Sequence, residues 1–241
     1  MKENSTLANI STVFIDLDDT IWWFTENSKV SLRHVYDSFG LSQWCPDYSL
    51  FVNVYMAKNK ELWELYHHGK IKKDFLVTER FRYTLEQIAY TGDYDDMGAR
   101  LNEEYLNFLA RQTILVPGAK DLLEYLVGKG YDVNVLSNGF KNVQARKLQS
   151  GDVIHLINHL VLSDDCGITK PLPGIFDYAL RVCSAHAETC VMIGDNYDAD
   201  ICGAHNAGWR TIFFNKCGTS TEELGLADYI VDGLPEIKNL L

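Results

Sequence analysis

Short apolar runs and long amphipathic stretches divide this chain into two unlike parts. From about Gly118 onward, strand-like runs alternate with helical patterns in the manner of βαβ units, which predicts a parallel sheet covered on both faces. Candidate strands are Val133 to Leu136, Leu160 to Leu162, Cys190 to Ile193, Thr211 to Phe214 and Tyr229 to Val231. Leu122, Leu123 and Leu126 recur at helical spacing, as do Phe176, Ala179, Leu180 and Cys183, each set giving an apolar face to lay on a sheet. Gly130 and Gly208 suit the ends of the helices before them. One further strand-like run, Val13 to Leu17, stands apart near the start.

Residues 22–115 are rich in Leu, Tyr, Phe and charge, with few Pro or Gly and no βα alternation. Helices are expected over Ser31 to Phe39, Tyr48 to His67, Phe75 to Ala89 and Met97 to Ala110, broken at Gly40, Pro46, Gly69 and Gly92. The expected architecture is α/β: a parallel-sheet core from residues 1–21 and 116–241, interrupted by a helical domain over 22–115. Pro117-Gly118 marks the return to the sheet. The interruption falls between the first strand and the rest, so the inserted domain is expected to sit over the ends of the strands, where open α/β sheets bind ligands.

Those strand ends carry the polar residues. Val13 to Leu17 runs into Asp16, Asp18, Asp19 and Thr20, and as a strand it would send Asp16 and Asp18 to one side. Carboxylates so close are costly unless a cation lies between them or one keeps its proton. The strand Val133 to Leu136 ends in Ser137-Asn138-Gly139, which is either an ordinary turn or a cradle for an anion. Cys190 to Ile193 ends in Gly194-Asp195-Asn196, followed by Asp198 and Asp200 at a helix start; Asp195 suits a Mg²⁺ site and Asp198 a helix cap. Lys170 lies in a loop stiffened by Pro171 and Pro173, placed to neutralise phosphate charge.

Other features weigh less. The net charge of −11, with no basic stripe, argues against a nucleic acid polymer as partner and leaves small phosphorylated substrates open. Six cysteines without Cys-x-x-Cys spacing argue against a disulfide framework or a zinc site, and His155 and His159 lack an acidic partner between them. His67-His68 suits a helix end. Trp22, Trp23 and Phe24 form an aromatic cluster that either packs in the core or stacks on a substrate ring. Met1 to Thr6 lead to an apolar run too short for a signal peptide, and no stretch reaches membrane-spanning length, so a cytoplasmic protein with no membrane partner is expected.

Taken in order, Asp16-Leu17-Asp18-Asp19-Thr20, Ser137-Asn138-Gly139, Lys170 before Pro171, and Gly194-Asp195-Asn196 to Asp200 resemble the four motifs of the haloacid dehalogenase-like hydrolase superfamily. The resemblance spans essentially the whole chain and implies a Rossmann-like core with an inserted helical cap of the C1 type. It implies Asp16 as nucleophile, Asp18 as general acid/base, Ser137 and the Asn138 amide as phosphate binders, and Lys170 as charge neutraliser. It also implies a Mg²⁺ ion held by Asp16, the Asp18 carbonyl and Asp195, with Asp200 supporting Lys170 or the metal. The family's dehalogenases lack an acid at the position of Asp18, and its mutases usually place Gly where this chain has Asp19, so the resemblance is to the phosphatases.

The Asp-x-Asp-Asp-Thr-Ile-Trp opening and the Tyr/Phe-rich insertion further resemble the bacterial pyrimidine 5′-nucleotidase group. Phosphoglycolate and sugar-phosphate phosphatases share such a core. The reading from another class is a non-enzymatic phospho-acceptor module, which has no need of an insertion of this size to exclude water. Asp19 has two equal accounts, turn formation and support of its neighbours. The substrate and the oligomeric state are not legible in the sequence.

Overall fold

The computed structural model describes residues 7–220 and 224–241; residues 1–6, read above as the approach to the first strand, lie outside the described residues. They divide into two compact units: one combines the residues up to Phe24 with those from Thr113 onward, and the other is Thr25–Gln112.

Among the described residues the first unit is built on six strands: β1 (Thr12–Ile15), β2 (Asp132–Ser137), β3 (His159–Leu162), β4 (Cys190–Gly194), β5 (Arg210–Phe214) and β6 (Tyr229–Val231). All pair in parallel in the order β3-β2-β1-β4-β5-β6. The strands are nearly continuous apolar runs because both faces are covered. Phe14 lies beside Met192 in register, and with Leu136 and Val161 these form one face. On it pack Ile175, Phe176 and Ala179 from a helix and the Trp209 indole, whose ring stacks at a tilt on Phe14 with centroids 4.6 Å apart. The chain order changes direction across β1, which places the ends of β1, β2 and β4 side by side.

The first strand is shorter than its apolar run. Pairing stops at Ile15; Asp16 N still donates to Ile193 O at 2.9 Å. The carbonyl of Leu17 then takes the N–H groups of Thr20, Ile21 and Trp22 at 3.4, 3.0 and 2.9 Å. Asp16 and Asp18 therefore stand on a turn beyond the strand rather than on one strand face. Within that turn Asp19 has φ 63°, a left-handed conformation that aspartate adopts more readily than most residues.

In the second unit the helices are α1 (Phe24–Ser38, its first residue in the other unit), α2 (Tyr48–His67), α3 (Lys73–Gln87) and α4 (Tyr94–Leu109). α2 has the expected bounds and His67 closes it, but α1 begins seven residues before the expected Ser31. Its buried face carries Asn27, Ser28 and Ser31, which the apolar periodicity passes over; the Ser28 hydroxyl meets the Tyr105 hydroxyl at 2.8 Å. α4 starts three residues before the expected Met97, capped by Asp93, whose Oδ1 accepts from the N–H groups of Asp95 and Asp96. The buried Arg80 of α3 ties the bundle together through Asn59 of α2 and Asn102 of α4.

Among the described residues the remaining α-helices of the first unit are α5 (Ala119–Gly128), α6 (Lys141–Ser150), the single turn α7 (Ser163–Cys166), α8 (Pro173–Cys183) and α9 (Gly203–Asn206), the last preceded by a π-wound turn, Tyr197–Cys202. That turn is capped by Asn196, whose Oδ1 accepts from Ala199 N at 2.9 Å, and not by Asp198. No helix among the described residues is long and apolar enough to cross a membrane.

Candidate active site

Four loops that follow strands converge at one edge of the sheet. The turn after β1 brings Asp16, Asp18, Asp19 and Thr20; β2 ends on Ser137, with Asn138 next; the segment after α7 brings Lys170; and β4 leads to Asp195 and Asp200. Lys170 is the hub. The residue is 1% exposed, and its ammonium group donates to three acceptors: Asp16 Oδ1 at 2.7 Å, Leu136 O at 2.7 Å and Asp200 Oδ1 at 2.6 Å. Asn138 holds the Lys170 backbone in a reciprocal pair, accepting from Lys170 N at 2.8 Å and donating to Lys170 O at 2.9 Å. The Asn138 side chain is thus spent on placing Lys170.

The second oxygen of Asp200 accepts from Asn196 N at 3.1 Å. Gly194 is required here, because a Cβ on it would lie 2.2 Å from that oxygen. Asp195 accepts from the Thr20 hydroxyl at 3.0 Å and from Lys216 Nζ at 2.8 Å. Lys216 also reaches Asp19 at 3.2 Å. Asp19 thus forms part of the turn and pairs with the lysine that binds Asp195, so both accounts of it hold.

The structure separates Asp16 from Asp18 in their partners. Asp16 turns to Lys170, whereas Asp18 turns to α6: Lys147 Nζ lies 2.6 Å from its Oδ1 and Gln144 Nε2 lies 2.8 Å from its Oδ2. Gln144 also donates to Ser137 Oγ at 2.8 Å. Trp22 is wholly buried and with Phe24 flanks Lys147, whose ammonium lies 4.7 and 5.5 Å from the two ring centroids. His159 Nδ1 pairs with Asn134 Oδ1 at 2.9 Å at the start of β3, while His155 lies on a separate short helical turn.

Lys147, Gln144 and Lys216 are the residues of this site that the sequence reading passes over, while Thr20, named there only as part of the first motif, gains a partner in Asp195. Lys216 had a signal, since it follows Phe214 at the end of β5 by two positions, the same placement that drew attention to Asp195. Gln144 and Lys147 had a weaker one, their spacing of three on a helix, which shares a face but names no partner.

The electrostatics run one way. Burial pushes the Asp16 carboxyl well above the usual carboxylate range; Asp200 and Asp195 add to this and Lys170 opposes it. Burial likewise moves Asp195 up to about 6, reinforced by Asp200 and Asp19 against the pull of Lys216. Burial disfavours the ammonium forms of Lys170 and Lys216, yet the carboxylates around each outweigh it and hold both above ordinary lysine. Neighbouring carboxylates thus add to the rise that burial gives Asp16 and Asp195, and they hold both lysines up against burial, two signs of crowded negative charge. Counted formally, Asp16, Asp18, Asp19, Asp195 and Asp200 face Lys147, Lys170 and Lys216, an excess of two negative charges. One divalent cation balances it. Oxygens of Asp16, Asp195 and Asp200 lie within 4.8 Å of one another, and an all-oxygen donor set of this kind fits Mg²⁺.

Comparison with known proteins places this geometry. The family model described as haloacid dehalogenase-like hydrolase matches residues 10–208. The HAD-hydrolase YfnB of Bacillus subtilis is 30% identical over 205 residues, covering 85% of this chain and 83% of that protein. The pyrimidine 5′-nucleotidase YjjG of Escherichia coli is 29% identical over 230 residues, 95% of this chain and 96% of that protein. A crystal structure of the B. subtilis YfnB bound to magnesium superposes with a TM-score of 0.85 at 28% identity, covering 97% of this chain and 99% of that one.

Proposed function

The chain belongs to the haloacid dehalogenase-like hydrolase family, and from that premise we propose that this hydrolase is a Mg²⁺-dependent phosphomonoesterase acting on a small phosphorylated metabolite, with nucleoside 5′-monophosphates as its substrate class. The observation that carries the reading is the Lys170 ammonium held between Asp16 and Asp200, next to a carboxylate cluster with room for a divalent charge. The nucleotide preference rests on the likeness to the E. coli nucleotidase along nearly the full length of both chains. In the same reading, Thr25–Gln112 is the counterpart of the family's cap domain.

Asp16 is the nucleophile in this account. Its carboxylate oxygen attacks phosphorus in line, the bond from phosphorus to the ester oxygen breaks, and that oxygen leaves with the electron pair and takes a proton from Asp18. The product on the protein is an aspartyl phosphate. Asp18, now a carboxylate, takes a proton from water as the water oxygen attacks phosphorus; phosphate departs and Asp16 is restored. Lys170 holds Asp16 in place and faces the phosphoryl charge, while Ser137 Oγ and the Asn138 N–H bind phosphoryl oxygens. Asp16, the Asp18 carbonyl and Asp195 would hold Mg²⁺, which when bound supplies the positive charge that keeps these carboxylates ionised and draws charge from the phosphoryl oxygens.

The test is hydrolysis of a panel comprising nucleoside 5′-monophosphates, sugar phosphates, phosphoglycolate and p-nitrophenyl phosphate, with Mg²⁺ and with chelator. Mg²⁺-dependent release of phosphate with a preference for nucleotides is expected. No release from any panel member would remove the proposal, and a preference for phosphoglycolate or a sugar phosphate would remove its substrate class.

A further inference from the structure

Two side chains of α6 have no part in the mechanism above, although they grip one of its central groups. Gln144 is wholly buried, and Lys147 is 3% exposed. Together they donate to both oxygens of the Asp18 carboxylate, at 2.8 and 2.6 Å. The same Gln144 nitrogen donates to Ser137 Oγ at 2.8 Å, so one amide connects Asp18 with the hydroxyl at the end of β2. Lys147 is fixed in turn by the rings of Trp22 and Phe24, which lie on the chain just past Asp18. All these residues belong to one compact unit.

Two further observations indicate that the arrangement is specified rather than incidental. A Cβ on Gly139 would lie 1.9 Å from Gln144 Nε2, so the glycine of Ser137-Asn138-Gly139 is needed for Gln144 to fold back over the turn. Gln144 Oε1 is buried and accepts no hydrogen bond among the described residues. A buried amide oxygen without a partner costs about 1–3 kcal/mol, which an apolar residue at 144 would avoid. The side chain is kept for what its nitrogen does. Lys147 has the same character: burying an ammonium group is costly unless it is paired, and its carboxylate partner here is Asp18.

We propose that Gln144 and Lys147 are positioning residues for Asp18. They pin the carboxylate from the α6 side, leave its remaining face, about a third exposed, toward the reacting group, and refer its position to Ser137. The proton donor and the phosphoryl group then share one frame. When the O–H bond of Asp18 breaks and the leaving oxygen gains the proton, the carboxylate formed is already paired with an ammonium group and an amide. Nothing has to reorganise at that moment, which is how preorganised groups lower a barrier. The inference rests on the reading of Asp18 as the acid of the first step.

Leaving-group dependence separates this role from a structural one. A nitrophenolate departs with little help from an acid, whereas the alkoxide of a nucleoside needs its proton in the transition state. The experiment measures kcat/KM, which reports the steps through cleavage of the phosphorus–oxygen bond, for Lys147→Met, Lys147→Arg, Gln144→Leu and Asp18→Asn. Each is assayed with p-nitrophenyl phosphate and with a nucleoside 5′-monophosphate, and unfolding is followed in parallel. Asp18→Asn should lose about 10²–10⁴-fold on the nucleotide and much less on the aryl ester. Lys147→Met and Gln144→Leu should show the same skew, at least about tenfold more loss on the nucleotide, with Lys147→Arg restoring most of it. Equal losses on both substrates, or none, in variants that fold would overturn the proposal while leaving Asp18 as it stands. No skew in Asp18→Asn would overturn the reading of Asp18 and the proposal with it. If Lys147→Met does not fold, Gln144→Leu decides the matter by itself.

Discussion

Replacing Lys170 by methionine tests how the site is held together. Methionine keeps most of the stem and removes the charge, so packing changes little while Asp16, Asp200 and the Leu136 carbonyl each lose a donor at 2.6 to 2.7 Å. Breaking a buried ion pair by removing one partner costs about 3–5 kcal/mol, because the other charge stays buried without compensation. Burial already raises Asp16, so its stranded carboxylate can neutralise itself in part. The low end, about 3 kcal/mol, is therefore expected near neutral pH. For a protein of this size that corresponds to a fall in Tm of about 6–12 °C.

The sign of the pH dependence follows from the same groups. Lys170 lies above ordinary lysine in the folded protein, so its contribution is fully present below about pH 10.4 and is constant through the neutral range. In the variant, Asp16, already raised by burial and now without the opposing Lys170, binds its proton more tightly folded than unfolded. Stability is then lost as pH rises through the range of that carboxyl, and the deficit against wild type shrinks on acidification. Urea unfolding followed by tryptophan fluorescence at about pH 8 and about pH 5.5 measures both effects. A deficit below about 1 kcal/mol at the higher pH, the value expected of a surface pair, or a deficit that grows on acidification would refute the reasoning.

Two further predictions concern the same edge of the sheet. Asp195, raised to about 6 by burial, binds either a proton or Mg²⁺, and Asp16 is raised as well, so Mg²⁺ affinity measured by calorimetry should fall as pH drops through that value, by at least about tenfold per unit below it. The metal-free protein should behave oppositely, since a raised carboxyl costs stability as pH rises from about 4 to 6; an affinity unchanged between about pH 5 and 7 would contradict the role of Asp195. Gly139→Ala forces Gln144 from its place, so a stability loss of about 1–3 kcal/mol should accompany the leaving-group skew expected of Gln144→Leu. Unchanged kinetics in that variant would show that the close approach of Gln144 does not matter.

Much of this architecture is written in the apolar pattern. The strands after Gly118 are found within a residue of their observed ends because buried parallel strands are continuous apolar runs that stop where a polar turn begins. The first strand misled for the same reason in reverse. Leu17 is apolar and buried, but its carbonyl organises a turn, so the run outlasts the pairing. The early start of α1 was hidden by Ser28 and Ser31, which bury hydroxyls that find partners and so leave no apolar trace.

The candidate site was legible where a side chain follows a strand directly, as with Asp16, Ser137 and Asp195. It was not legible where helices supply groups from the side. Nothing in the spacing of Gln144 and Lys147 tells that a residue 126 or more positions away is their partner. Asp19 needed Lys216, which arrives from two strands away, after β5.

The central claim is that Asp16 carries the phosphoryl group during turnover. Rapid acid quench of the wild-type protein with Mg²⁺ and excess substrate, followed by peptide mass spectrometry, tests it directly. The account predicts a phosphoryl group on Asp16 during the steady state, and an Asp16→Asn variant that folds, carries no label and releases no phosphate. Phosphate release by Asp16→Asn at a rate near wild type, or a phosphoryl group on another residue in its place, would contradict it.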